Sequence, residues 1–135
     1  MLRITPRIHA EMVGHAYDGL PEEACGLLAG DPATGDSRAY YPTRNLAASS
    51  RVYTVDPLDH LRAERDAEAR GLEVIGVVHS HTHTTAYPSP TDVAQAPDPA
   101  WHYVIVSLRD TAPVVRSYRI VDGNISEEPI VLVNG

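Results

Sequence analysis

The order of helical and extended segments in this chain predicts an α+β or layered α/β domain, a sheet flanked by helices. Three observations predict it. Thr5-Pro6 and Asp56-Pro57 each set a capping side chain before a proline, and apolar residues at helical spacing follow both pairs. Short apolar or alternating runs of strand length lie between and after these helices. Asp122-Gly123 joins two of the late runs, a strong hairpin signal.

The first helix opens at Thr5-Pro6, carries Ile8, Met12, Val13 and Ala16 at helical spacing, and ends near Gly19. Glu22-Glu23 leads into an apolar run, residues 24–30, that reads as a buried strand. Asp31-Pro32 and Thr34-Gly35-Asp36 supply turn chemistry before a second strand over residues 38–42. Residues 51–55 alternate, which predicts another short strand. Asp56 caps the second helix, which runs through Leu58, Leu61, Ala67 and Ala69 to Gly71. A strand over 74–81 follows, then a polar loop over 82–88 and a short helix from Ser89. Residues 101–108, 114–121 and 125–133 read as three further strands.

A length of 135 residues suits one compact domain, residues 1–135. With 43% apolar and 21% charged residues the chain falls in the soluble globular class. No apolar run approaches the roughly 20 residues of a membrane span, and the first residues lack the apolar core of a signal peptide. Cys25 is the only cysteine, so no intramolecular disulfide forms and a reducing cytoplasm is expected. A formal charge of −7 argues against nucleic acid as a partner, because phosphates demand a basic footprint.

The chemistry is concentrated between residues 79 and 92. His79 and His81 are separated by one residue at the end of an apolar strand, so both imidazoles point to the same face and reach one divalent cation. Asp92 supplies a third ligand and leaves one tetrahedral position open for water, the mark of a catalytic rather than a structural zinc site. Ser89-Pro90-Thr91-Asp92 is also a helix-opening capping box, a role compatible with ligation because a helix start holds Asp92 at a fixed distance. If the strand continued, His83 would join His79 and His81 in a three-histidine site without Asp92. The loop residues after His81 place His83 at the mouth instead. Cys25 sits among Ala24, Gly26 and Leu27, a setting that makes a thiol inert. The acidic run on the second helix, residues 64–68, reads as a solvated face.

Other histidine-based metal sites fail on spacing or length. A metallo-β-lactamase pattern lacks its last His in register, and an amidohydrolase barrel needs roughly 250 residues. Zinc deaminases and zinc fingers need more cysteines than one. The stretch HSHTHTTAYPSPTD, residues 79–92, is His-x-His, seven residues, Ser, two residues, Asp. It resembles the signature of the JAMM (MPN+) metalloproteases, and Glu23-Ala24-Cys25-Gly26-Leu27-Leu28 resembles that family's upstream acid and strand. Thr82 stands where the broad family usually has Pro. That departure, the loop before Ser89 and the segments 101–107 and 116–123 closely resemble the bacterial Mec+ proteins.

The resemblance implies a mixed sheet flanked by helices, related in architecture to the cytidine deaminase fold. It implies one Zn2+ per chain on His79, His81 and Asp92, with Glu23 as general base and acid and Ser89 as donor to the carbonyl oxygen. Glu22 is the alternative to Glu23. The implied partner is a small ubiquitin-like sulfur-carrier protein whose C-terminal glycine carries a cysteine, released by hydrolysis in cysteine biosynthesis. An isopeptidase acting on another ubiquitin-like or peptide substrate is the alternative within the chemistry, and a non-catalytic MPN scaffold the alternative outside it. Arg44 and Arg51 are two of several candidates for a substrate carboxylate.

Overall fold

A computed structural model describes residues 1–134. In chain order the elements are β1 (Leu2–Ile4), α1 (Pro6–Gly19), β2 (Cys25–Asp31), β3 (Asp36–Thr43), α2 (Pro57–Ala69), β4 (Glu73–His81), α3 (Pro90–Ala94), β5 (His102–Ser107), β6 (Val114–Val121), β7 (Asn124–Glu128) and β8 (Ile130–Leu132). The strands form one sheet in the order β7-β6-β5-β4-β2-β3-β1-β8. Strand β4 runs parallel to β5, and β1 parallel to β3 and β8, while the other pairs are antiparallel. The sheet is therefore mixed.

The two long helices cover opposite faces. Thr5 caps α1 by accepting from the Ile8 N–H at 3.2 Å. Buried Ile8, Met12 and Ala16 recur every four residues, so one stripe of α1 meets Leu28, Tyr40, Val78 and Val104. Burial of each large side chain there contributes about 1.5–3 kcal/mol. Asp56 caps α2 through the Leu58 N–H at 2.9 Å. Only alanines, Ala63 and Ala67, are buried from this helix, and their small size lets it lie close against Leu27, Ala29 and Val77.

An irregularity in β4 sets which face the histidines occupy. Leu28 pairs with Gly76 and Ala29 with Val74, so Ile75 is an extra residue. Ile75 packs on the α1 side and Val77, two residues on, packs on the α2 side. The bulge resets the strand's phase and turns Val77, His79 and His81 toward α2. Gly76 suits the bulge because a Cβ there would lie 2.4 Å from the His102 carbonyl oxygen.

Strands β7 and β8 lie at opposite edges of the sheet yet are separated in the chain by Pro129 alone. The sheet must curl until its edges approach, and Glu128 fastens the closure. Its carboxylate accepts from the Met1 amine at 2.9 Å and the Ser117 hydroxyl at 2.8 Å, and it lies 2.6 Å from His102 Nδ1.

Two sequence expectations change, and one strand is unforeseen. Residues 51–55 form no strand, only an isolated bridge between Asn45 and Val55, because side chains of Asn45 and Ser49 take the backbone groups of this loop. Residues 125–133 are two strands, since Pro129 has no N–H to continue the ladder. Strand β1, three residues long, is too short to leave a periodic signature. The hairpin at Asp122-Gly123 matches its expectation, with positive φ of 51° and 78° as a type I′ turn requires.

Candidate metal centre

His79 and His81 occupy the C-terminal end of β4, both buried. The chain then leaves the sheet through a loop tied down at several points. Ser107 donates to the Thr84 carbonyl at 2.6 Å, and Tyr118 donates to the Ala86 carbonyl. This loop delivers Ser89 and α3 above the strand end. Ser89 Oγ accepts from the Asp92 N–H at 3.0 Å, and the Ser89 N–H donates to Asp92 Oδ2 at 2.9 Å, completing the expected capping box. The box aims Oδ2 at the histidines, 3.1 Å from His79 Nε2 and 3.0 Å from His81 Nε2. The two Nε2 atoms are 3.2 Å apart.

These three atoms form a triangle that is rich in lone pairs. His81 Nδ1 lies 2.7 Å from the Thr85 carbonyl oxygen, which can only accept, so Nδ1 carries the proton and the neutral ring presents a bare Nε2. Burial holds the His79 imidazole below its ordinary value, favouring the neutral ring. At His81 burial also lowers, but the Asp92 carboxylate and the Thr85 carbonyl outweigh it and the value is raised. Burial alone would raise Asp92, yet the two imidazoles, whose Nε2 atoms hold a proton against Oδ2 when the rings are charged, keep it well below the carboxylate range. The triangle attracts positive charge.

The donor set fits a metal ion. Imidazole nitrogens and carboxylate oxygens are zinc ligands, and atoms about 2.0–2.1 Å from a tetrahedral zinc stand roughly 3.3 Å from one another. The triangle needs to open by only a few tenths of an ångström. Among the described residues this is the group of His, Cys, Asp and Glu side chains with converging ligand atoms. His83 is exposed in the loop beyond β4 and does not join it.

Glu23 precedes β2 and is buried, whereas Glu22 is exposed. Ser80, whose side chain points away from the histidines, accepts from the Ala24 N–H at 2.8 Å and joins the Glu23 segment to β4. Glu23 Oε1 has no hydrogen-bond partner among the described residues. Burial, countered by His81 and reinforced by Asp92, pushes its carboxyl up to about 7. Such a group can both take and give a proton near neutrality. Cys25 lies directly across from His79 in the β2–β4 register. Burial pushes its thiol up to about 11, and its Sγ is 3.3 Å from Thr43 Oγ1, as expected of an inert cysteine.

Two groups that sequence reasoning did not single out complete the centre. The Tyr53 ring stacks on His79 with centroids 4.3 Å apart and planes 19° from parallel. The Thr85 carbonyl sets the His81 tautomer. Neither leaves a signal in the sequence: a carbonyl is common to every residue, and the alternation around Tyr53 reads as a strand and says nothing of a ring stacked on His79. Arg44 and Arg51 are both exposed, Arg51 beside Ser49 and Ser50, whose carbonyls accept from the Glu23 N–H and the Thr82 hydroxyl. Beyond Tyr53 a cleft of about 500 Å³ opens between β4, α2 and the segment that follows α3, lined by Leu27, Val55, His60, Val77 and Trp101. No helix among the described residues is long and apolar enough to cross a membrane.

Comparison with known proteins gives a consistent picture. The sequence profile of prokaryotic homologs of the JAB domain matches residues 5–121. The chain is 43% identical over 123 residues to the CysO-cysteine peptidase of Mycobacterium tuberculosis, covering 90% of this chain and 84% of that protein. It is 36% identical over 101 residues to the desampylase of Haloferax volcanii, covering 71% and 73% respectively. The solution structure of a Desulfitobacterium hafniense protein superposes with a TM-score of 0.91 at 37% identity, over 100% of this chain and 94% of that one.

Proposed function

The chain belongs to the family of prokaryotic JAB-domain homologues, and from that premise we propose that it is a zinc-dependent hydrolase acting on a small ubiquitin-like sulfur-carrier protein. The bond cleaved is the amide between the carrier's C-terminal glycine and cysteine, and free cysteine is the product. The reading places the enzyme in cysteine biosynthesis in the cytoplasm. The observation that carries it is the convergence of His79 Nε2, His81 Nε2 and Asp92 Oδ2 within 3.0–3.2 Å, with the unpartnered Glu23 carboxyl buried nearby. The 43% identity to a protein named for cleaving such an adduct supports the choice of substrate.

In this reading His79, His81 and Asp92 hold the zinc. A bound zinc supplies a water of lowered pKa and polarises the carbonyl. Glu23 receives the proton that the attacking water gives up and returns it to the leaving amine as the C–N bond breaks. The Ser89 oxygen is engaged as an acceptor, so its O–H remains to donate to the carbonyl oxygen as negative charge develops there. The Thr85 carbonyl keeps the His81 lone pair turned inward, and the capping box keeps Asp92 in place.

A second reading retains the chemistry and changes the substrate to an isopeptide-linked ubiquitin-like conjugate, favoured by the 36% identity to a desampylase. Mass spectrometry separates them. Incubation with the carrier–cysteine adduct should remove one cysteine mass, and a chelator should block the loss. Cleavage of an isopeptide conjugate with the adduct left intact would overturn the first reading in favour of the second. An inert adduct and an inert conjugate would leave a scaffold.

A further inference from the structure

Residues 44–56 contain no helix or strand, yet the segment is closed at its base and organised around one side chain. The Asp56 N–H donates to the Arg44 carbonyl at 3.1 Å and the Leu46 N–H to the Thr54 carbonyl at 2.9 Å. Inside this loop the Asn45 amide uses its full hydrogen-bonding capacity. Its Oδ1 accepts from the N–H groups of Ala47 and Thr54 at 3.0 and 2.9 Å. Its Nδ2 donates to the carbonyls of Glu23 and Val52 at 2.9 and 3.1 Å. Only donors face the oxygen and only acceptors face the nitrogen, so the neighbours fix the amide's orientation.

Those partners bracket two groups of the metal centre. Val52 and Thr54 flank Tyr53, whose ring lies on His79. The Glu23 main chain is gripped on both sides by the loop, through its carbonyl to Asn45 and its N–H to the Ser49 carbonyl at 2.8 Å. Glu23 Oε1 has no partner of its own. A carboxyl without a side-chain anchor takes its position from its backbone, so the register of that backbone decides where it points.

We propose that Asn45 is a positioning residue, a strut that sets the Glu23 carboxyl and the Tyr53 ring against the His79–His81–Asp92 centre as one unit. The proposal rests on the reading of Glu23 as the general base. A displacement of about 1 Å in a catalytic group costs on the order of 10²-fold in rate, which sets the expected effect.

Asn45→Ala and Asn45→Asp test it. The aspartate retains the acceptor toward Ala47 and Thr54 but turns an oxygen toward the carbonyls of Glu23 and Val52. Both variants should lose about 100-fold in kcat on the carrier–cysteine adduct with KM and zinc content little changed. In NMR spectra of the metal-free protein, the His79 ring protons shielded by Tyr53 should move downfield while those of His81 stay in place. If Asn45→Ala does not fold, Asn45→Ser, which keeps one hydroxyl for the network, should show the same pattern at smaller amplitude. A lowered Tm with kcat, KM and the His79 signals unchanged would overturn the proposal and leave Asn45 a stabilising residue. A wild-type protein that cleaves no adduct would defeat the reading of the reaction. The His79 signals would still decide on the strut, and their failure to move would overturn it.

Discussion

Glu128→Gln removes the charge that fastens the curled sheet while keeping the side chain's shape. Burial alone would raise the Glu128 carboxyl, but bonds from His102, the Met1 amine and Ser117 outweigh it and bring the value from 4.5 down to about 2. At about 1.36 kcal/mol per tenfold change in proton affinity, that fall is worth about 3 kcal/mol, rounded down because the Met1 amine is 49% exposed and partly screened. The sign follows from linkage. A carboxyl depressed in the folded state contributes its full stability above pH 4.5 and loses it as the pH falls toward 2. Urea unfolding with a chelator present should show the variant less stable at pH 7, with a midpoint lower by about 2 M. The gap should shrink to less than half by about pH 3, where Glu128 is already protonated in the unfolded chain and still largely ionised in the folded one. Comparing the two proteins at each pH cancels other titrating groups, Asp92 included. A gap equally large at pH 7 and pH 3, or none at pH 7, would refute the argument. Activity per folded molecule should not change, because His102 shares with Val104 the α1 side of the sheet, whereas His79 and His81 share with Val77 the α2 side.

Four substitutions bear on the centre itself. Glu23→Gln should keep its zinc and lose at least about 100-fold in turnover, and a near-normal rate would remove Glu23 as the base. Asp92→Ala should purify without stoichiometric zinc, as metal analysis would show. Ser89→Ala should still take up zinc but more weakly, because half of the box that aims Asp92 is lost; saturated with zinc it should lose on the order of 10² in kcat, and it should unfold about 1 kcal/mol more easily because the cap of α3 goes with the hydroxyl. His83→Ala should leave metal content unchanged, and loss of zinc there would restore the three-histidine arrangement.

The sequence makes some of this legible and conceals the rest for physical reasons. Thr5-Pro6, Asp56-Pro57 and Ser89-Pro90 announce α1, α2 and α3 because capping is local chemistry, complete within four residues. His79 and His81 share a face because strand periodicity is also local. The bulge at Ile75 is not local: it depends on how β4 meets β2, and no run of residues declares it. The loop over 51–55 alternates like a strand, but Asn45 claims the N–H of Thr54 and the carbonyl of Val52 that a neighbouring strand would need. Pro129 was a readable signal, a proline inside an alternating run, and it marks the place where the chain passes from one sheet edge to the other. Within the centre, side-chain ligands can be read from spacing, whereas the Thr85 carbonyl and the Asn45 strut depend on backbone atoms that every residue shares.

The position of the centre follows from the one parallel pair among the middle strands. Strands β4 and β5 run side by side in the same direction, so the chain leaving His81 must travel back to the opposite end before β5 can start at His102. Whatever segment makes that return begins at the C-terminal end of β4, where the last two inward-facing side chains are His79 and His81. The N-terminus of α3 stands at the beginning of this return, so its capping acid, Asp92, arrives over the histidines by topology and needs only the box with Ser89 to aim it. Strand β2, antiparallel to β4, starts where β4 ends, and this brings Glu23 to the same place from another part of the sequence. Three chain segments thus meet at one end of two strands. The parts assigned to binding a cation sit on the strand and helix end, while the part assigned to moving protons hangs on the loop that Asn45 braces. On this division, loosening the 44–56 loop should impair turnover before metal affinity, and disrupting the Ser89–Asp92 box should impair metal affinity as well. Zinc affinity falling in Asn45→Ala by as much as in a variant that breaks the box would show that the division is wrong.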